Sequence, residues 1–395
     1  MRPVLCRIWQ NLIESEKENP VKEYRVISAD SHAIEPPDLW QQYLPQAYKD
    51  RGPRVISEAS GDIWVCQGLQ QHVAKRPMGA VARNRDKAYA AAAEGDKRYA
   101  TDANDWLPDA RVKYMRMDGV DAEVLYPNYT MRAFGILDQN LQQAVCQAYN
   151  DWLSDFCCAH PQELFGIAVV PAFDIDWAIQ ECRRAKEKGL VGVLLPQDTP
   201  DGSRYSASQW DPLWATLAEL SMPLSLHIIA SGHANTNWTQ DETGEESAAV
   251  GYAVLPVRMA RAFGTFILEG VFDRHPGLKL ISAENELSWA ANFLQRLDWG
   301  YHRRKMANDP MVKCQRLPSE YWHQHCYLTF IDDVPGVMLR EFIGVDRMMW
   351  SSDFPHLDSS WPESQQFLDK HFVGVPAEEM RPIVAENCVR LYNLR

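Results

Sequence analysis

The sequence predicts an α/β fold, a (β/α)8 TIM barrel with a long insertion after strand 1 and a C-terminal helical extension. Three observations carry this. Eight short apolar runs are separated by stretches with helical spacing. Those runs are apolar nearly throughout, as parallel strands covered by helices are. No glycine-rich phosphate loop follows the first run, which argues against a doubly wound open sheet. At 395 residues the chain is long enough for one such barrel.

Residues 1–23 carry Val4, Ile8, Leu12 and Ile13 at amphipathic spacing and read as an N-terminal helical extension, leaving 24–395 as a single barrel domain. Val26–Asp30 is the first strand, and the Pro36-Pro37 pair ends regular structure after it. The insertion, 38–119, contains a hairpin strand at Asp62–Cys66, a loose or helical charged stretch at Lys87–Ala100, and a helix at Asp109–Met117. Strands then alternate with helices: Asp121–Pro127, Leu164–Pro171, Leu190–Pro196, Pro223–Ile229, Leu278–Glu284, Cys326–Phe330 and Arg347–Asp353. The intervening helices are read at Leu141–Ala159, Trp177–Lys188, Asp211–Leu220, Val254–Gly270, Leu287–Tyr301 and Val337–Ile343. Ser231–Ser247 is rich in Gly, Asn, Thr and Glu and reads as a mobile lid. A C-terminal helix carries the stripe Met380, Ile383, Val384, Cys388, Leu391.

A net charge of −13 argues against nucleic acid or an anionic membrane as partner, but leaves room for a small anionic substrate in a pocket of different sign. Nine cysteines without C-x-x-C spacing fit reduced thiols in a cytoplasm. The N-terminal stretch lacks the apolar core of a signal peptide, and no apolar run reaches the ~18 residues of a membrane span. A soluble, cytoplasmic protein is expected.

Chemistry in such a barrel sits where the strands end. Asp30 and His32 alternate in the first strand motif and so project together. The fifth strand offers His227 inside Leu-Ser-Leu-His-Ile-Ile, the sixth ends in Glu284, and the eighth ends in Asp353 with His356 three residues beyond. Singly, Asp353 and Glu284 read equally well as helix caps and His227 as a core histidine. Together they form a carboxylate–imidazole set that a divalent cation would neutralise. Zinc is the first choice on donor type, with iron or manganese as alternatives, and one or two ions. Trp64, Trp106, Tyr126, Tyr129 and Trp238 are candidate pocket walls; His233 reads as a solvated loop residue, and His323 and His325 as structural. No G-x-S-x-G elbow or P-loop is present.

The D-S-H motif at 30–32, His227, S-S-D-F-P-H at 351–356, P-P-D-L-W at 36–40 and F-D-R-H-P-G-L-K-L at 272–280 resemble the amidohydrolase superfamily, in its amidohydrolase-2 branch, which includes the aminocarboxymuconate-semialdehyde decarboxylase type. The resemblance implies that Asp30, His32, His227 and Asp353 are metal ligands and that the protein is a homodimer. Two positions depart from the family pattern. Asp30 stands where the family's motif begins with histidine, and Glu284 stands where its decarboxylases carry one.

Those departures favour a metal-dependent hydrolase of an ester, thioester, amide or lactone with an apolar or aromatic body. In this reading Asp353 moves protons to and from an activated water, and Glu284 bridges a second ion or shares the proton transfer. The alternative is non-oxidative decarboxylation of an aromatic or unsaturated acid, with Arg132 as a candidate for the substrate carboxylate. From a different class, a barrel that only binds a ligand would have no use for a base on strand eight.

Overall fold

Eight strands follow one another around the sheet in chain order, every paired neighbour parallel. They are β1 (Ile27–Ala33), β2 (Ala122–Pro127), β3 (Leu164–Val169), β4 (Gly192–Leu195), β5 (Leu224–His227), β6 (Leu280–Ala283), β7 (Cys326–Phe330) and β8 (Met348–Trp350). This computed structural model describes residues 22–59, 61–72, 107–199, 201–230, 248–356 and 358–394. The expected N-terminal helix, the Lys87–Ala100 stretch, Trp106 and the Ser231–Ser247 loop with His233 and Trp238 lie outside the described residues.

The expected (β/α)8 barrel is therefore the fold. The strands run as the apolar segments require, because each is buried along its whole length. Their helices follow the expected periodicity. Gln139–Cys158 buries Leu141, Val145, Tyr149, Trp152 and Phe156, and starts ahead of that stripe because the Asp138 side chain accepts the Leu141 N–H. The expected helix at Val337–Ile343 is two short ones, Val334–Met338 and Arg340–Ile343, the first capped by Asp333. The C-terminal helix is interrupted by a π-helical turn at Pro382–Glu386, and it buries Ile383, Val384, Cys388 and Leu391.

Within the insertion, three antiparallel strands (Arg54–Glu58, Gly61–Cys66, Leu69–His72) form a small sheet. Trp64, expected to line a pocket, is instead fully buried edge-on to Trp40, their ring centroids 6.0 Å apart. The sheet needs an apolar face to rest on the barrel, and Trp64 supplies it. Among the described residues seven cysteines are free and buried, whereas Cys158 is disulfide-bonded, a departure from the expectation of reduced thiols throughout. No described helix is long and apolar enough to cross a membrane.

The barrel closes between β1 and the segment just past β8. Asp353 N–H donates to Asp30 O (3.0 Å), and His32 N–H donates to Phe354 O (2.8 Å). Buried hydroxyls fill the space beside this seam: Ser28 Oγ lies 2.8 Å from Ser31 Oγ and 3.1 Å from Ser352 Oγ, and accepts Ser352 N–H at 2.8 Å. Arg111, from helix Pro108–Met117, fastens the same seam from outside the sheet. Its guanidinium pairs with buried Glu123 of β2 (2.5 Å) and donates to His32 O (2.7 Å) and Phe354 O (3.1 Å).

Removing one partner of a buried pair leaves the other charge unpaired. Arg111→Met is therefore expected to lower stability by about 3–5 kcal/mol in a urea titration. The double variant R111M/E123L should recover much of that loss, since an apolar replacement of a whole buried pair is often near neutral.

Candidate metal centre

Four of the expected site residues converge with no exposure at all: Asp30, His32, His227 and Asp353 are each 0% accessible. β1 carries the first two, with a register shift between Ser28 and Ser31 that spans Asp30 and directly precedes His32. His227 is the last residue of β5, Glu284 is the first residue past β6, and Asp353 lies beyond β8.

His32 Nε2 lies 3.2 Å from Asp353 Oδ1, 3.8 Å from Asp30 Oδ1 and 3.9 Å from Glu284 Oε2. His227 Nε2 lies 3.3 Å from Glu284 Oε2 and 3.6 Å from Asp30 Oδ1. Donor atoms bound to one ion at ~2.1 Å sit roughly 3–3.5 Å from their neighbours, which is the spacing of this cluster's closest pairs. Among the described residues, Asp30 Oδ1, His32 Nε2, His227 Nε2 and Asp353 Oδ1 are buried without a hydrogen-bond partner. Such orphaned atoms converging on one point are what a cation would satisfy.

The backbone sets the imidazoles for that role. His32 Nδ1 faces Pro127 O at 2.7 Å, and His227 Nδ1 faces Ile228 O at 2.7 Å. A carbonyl only accepts, so each ring carries a proton on Nδ1, which orients Nε2 towards the centre. Burial, reinforced by His356, pushes the His32 pKa down to about 3, outweighing Asp353. At His227 burial also pulls downward, but Asp30, the Ile228 carbonyl and Asp353 together carry the group above the ordinary value. Burial pushes the Asp353 carboxyl up to about 6. Asp353 and His227 thus hold protons more tightly than in water, while His32 gives its proton up.

His356 stacks on His32 with ring centroids 3.9 Å apart. Its Nδ1 lies 3.0 Å from Asp353 Oδ2, and its Nε2 lies 3.2 Å from Asn128 Oδ1. The loop bearing Asn128 is held by Glu35, whose fully buried carboxylate accepts the N–H groups of Asn128, Tyr129 and Thr130 at 2.8–3.2 Å. Of the expected pocket walls, Tyr126 is fully buried beside the centre: its ring centroid lies 5.2 Å from His227, and its hydroxyl lies 2.8 Å from Ser225 Oγ. Tyr129 is buried, with its N–H on Glu35. His325 sits before β7, stacked on Phe272 and with Nδ1 on Leu278 O.

The strand ends are conformationally strained. Ile229, Glu284, Glu286 and Asp353 have φ of 69°, 56°, 57° and 52°. This left-handed region is uncommon for any non-glycine residue and an outlier for a β-branched one. Strain of that kind collects where a site dictates side-chain direction.

A closed parallel barrel with this cluster at its strand ends defines a metal-binding barrel enzyme, and the donor set calls for a divalent cation. The chain belongs to the amidohydrolase family, whose model matches residues 37–394. Among curated proteins it is 26% identical to a γ-resorcylate decarboxylase of Rhodococcus jostii, over 63% of this chain and 77% of that protein. It is 24% identical to a 2-amino-3-carboxymuconate-6-semialdehyde decarboxylase of Dictyostelium discoideum, over 51% and 54% of the two chains. Of solved structures, an amidohydrolase from Mycobacterium avium subsp. paratuberculosis superposes with a TM-score of 0.72, at 21% identity over 95% of this chain and 99% of that one. A dihydroxybenzoic acid decarboxylase from Polaromonas sp., with bound manganese and the inhibitor 2-nitroresorcinol, gives 0.62, at 18% identity over 94% and 98%.

These relatives correct the expectation of an ester, thioester, amide or lactone hydrolase. The two curated relatives named above are both decarboxylases.

Arg111, Glu123, Asn128 and Thr329 were missed from sequence. Glu123 alone carried a signal, an acidic side chain inside an apolar strand. The His32 tautomer is directly testable: long-range 15N–1H NMR of metal-free protein should show a neutral ring protonated at Nδ1 from pH 5 to 9, because its pKa lies well below that window. A ring titrating near pH 6.5 would contradict the geometry.

Proposed function

We propose that this protein is a divalent-metal-dependent, non-oxidative decarboxylase of an aromatic or unsaturated carboxylic acid. The observation that carries the proposal is the buried convergence of Asp30, His32, His227 and Asp353 with unsatisfied atoms facing one point. The decarboxylase relatives supply the reaction class.

Asp30, His32, His227 and Asp353 would hold one ion, with Glu284 as a further oxygen donor. Two candidate ligand groups can be drawn, Asp30–His32–His227 and His32–Glu284–Asp353–His356, but both use His32, whose single Nε2 lone pair serves one ion. An oxygen-rich set of this kind suits manganese ahead of zinc. A divalent cation bound there would offset the carboxylates and draw the substrate's carboxylate and adjacent oxygen into the centre.

The protein's own groups manage the proton. Asp353 faces, through Oδ2, the half-buried His356, which would pass it a proton from solvent. The bond from the ring or alkene carbon to the carboxylate breaks, its electron pair stays on that carbon, carbon dioxide leaves, and the proton from Asp353 forms the new C–H bond. A homodimer, implied by the family resemblance, belongs to the same reading and is checked by gel filtration.

The test is carbon dioxide release from a panel of hydroxybenzoic and unsaturated acids, using protein stripped with chelator and reloaded with Mn2+ or Zn2+. Turnover should vanish on stripping and return on reloading. Asp353→Asn should lower kcat by about 10²–10⁴-fold, the usual worth of a positioned proton donor. Cleavage of esters or thioesters with no carbon dioxide from any acid would sink the reading.

A further inference from the structure

Thr329 lies on β7, a strand that contributes no member of the metal cluster, and it is 0% accessible. Its hydroxyl makes two bonds that join distant parts of the centre. Thr329 Oγ1 donates to Asp30 Oδ2 at 2.9 Å and accepts the Glu284 N–H at 2.9 Å. The directions are forced. An amide N–H can only donate, so the hydroxyl receives it on a lone pair, and its single proton is left for the carboxylate.

We infer that Thr329 is a positioning residue of the metal centre, setting both the orientation of Asp30 and the backbone geometry of Glu284. The inference rests on the metal site proposed above. With Oδ2 occupied by the hydroxyl, Asp30 presents Oδ1, the oxygen that lies 3.6 Å from His227 Nε2 and has no hydrogen-bond partner among the described residues. The second bond acts on strain. Glu284 has φ 56°, and the Thr329 hydroxyl takes the N–H of that same residue. Loss of the bond removes the Thr329 hydroxyl from a part-buried amide at a position already conformationally costly. One side chain thereby couples Asp30 of β1, 299 residues away from it in sequence, to the residue that follows β6.

A threonine in a strand is ordinary, and its methyl could serve packing alone. The two roles separate by substitution. Thr329→Val keeps the shape and removes the hydroxyl; Thr329→Ser keeps the hydroxyl and removes the methyl. The readout is Mn2+ affinity of full-length, metal-stripped protein by calorimetry, with the metal-free melting temperature measured alongside. Supporting groups around a metal are typically worth 10–100-fold in affinity, so T329V should bind Mn2+ about 10–100-fold more weakly and T329S nearly as wild type. A packing role would instead lower the T329S melting temperature and leave the T329V affinity unchanged, which overturns the inference. If T329V does not fold, Thr329→Cys, a weak donor of similar size, takes its place; affinity equal to that of T329S overturns the inference, and weaker affinity supports it. Wild-type protein that binds no Mn2+ removes the metal site itself, and the positioning role with it.

Discussion

The closure of the barrel between β1 and the segment after β8 is the constraint on which the site depends. A seam made by ordinary strand pairing would only complete the sheet. Here the two closing bonds use the backbone of Asp30, His32, Asp353 and Phe354, so the peptide groups that shut the barrel belong to or adjoin the residues of the centre. His32 and Asp353 come within 3.2 Å because the seam is closed, not because their side chains attract. The buried serines and Arg111 then act on the same few peptides, which explains why so many polar groups concentrate in one sector of the wall.

That arrangement has an electrostatic cost which the fold does not remove. Asp30, Glu284 and Asp353 face two imidazoles held in defined orientation, and burial drives His32 towards neutrality just where positive charge would help. The carboxylates outnumber any protons the imidazoles retain. An apolar core of the same shape would be easier to fold, so the set is understandable only as preorganisation for an external cation. The left-handed φ values at Glu284 and Asp353 fit that view: the strand ends tolerate strain because the side chains must point inward.

How far this was legible in the sequence follows from what kind of signal each feature leaves. The strands and helices were readable because an enclosed parallel sheet writes itself as uninterrupted apolar runs, and a covering helix as a stripe such as Leu141, Val145, Tyr149, Trp152 and Phe156. Asp30, His32, His227 and Asp353 stood out because an ionisable group at the end of an apolar run needs a reason. Trp64 misled, since an aromatic residue on an insertion suits a pocket wall as well as a packing face, and only the Trp40 contact separates them. Arg111 left no mark: an arginine in an amphipathic helix is usually solvated, and its partners lie 12, 79 and 243 residues away, on no shared spacing.

The reaction was harder to read than the site, and for a physical reason. Hydrolysis and decarboxylation on such a barrel can share an ion, its ligands and a carboxylate on strand eight; they differ in whether a water or a carbon receives the proton. Residue types at strand ends specify the shared part. What separates the two lies in how the proton donor is kept charged or neutral and how it is reached from solvent. Under the function proposed above, those properties reside in burial of Asp353 and in the His356–Asn128 contact, which brings together residues 228 positions apart. No spacing in the chain encodes that contact; it exists only once Glu35 has gathered the amides of residues 128–130 and the seam has set Asp353 opposite His32. The candidate metal site is thus a property of strand order, whereas the reaction proposed for it rests on the loops that strand order brings together.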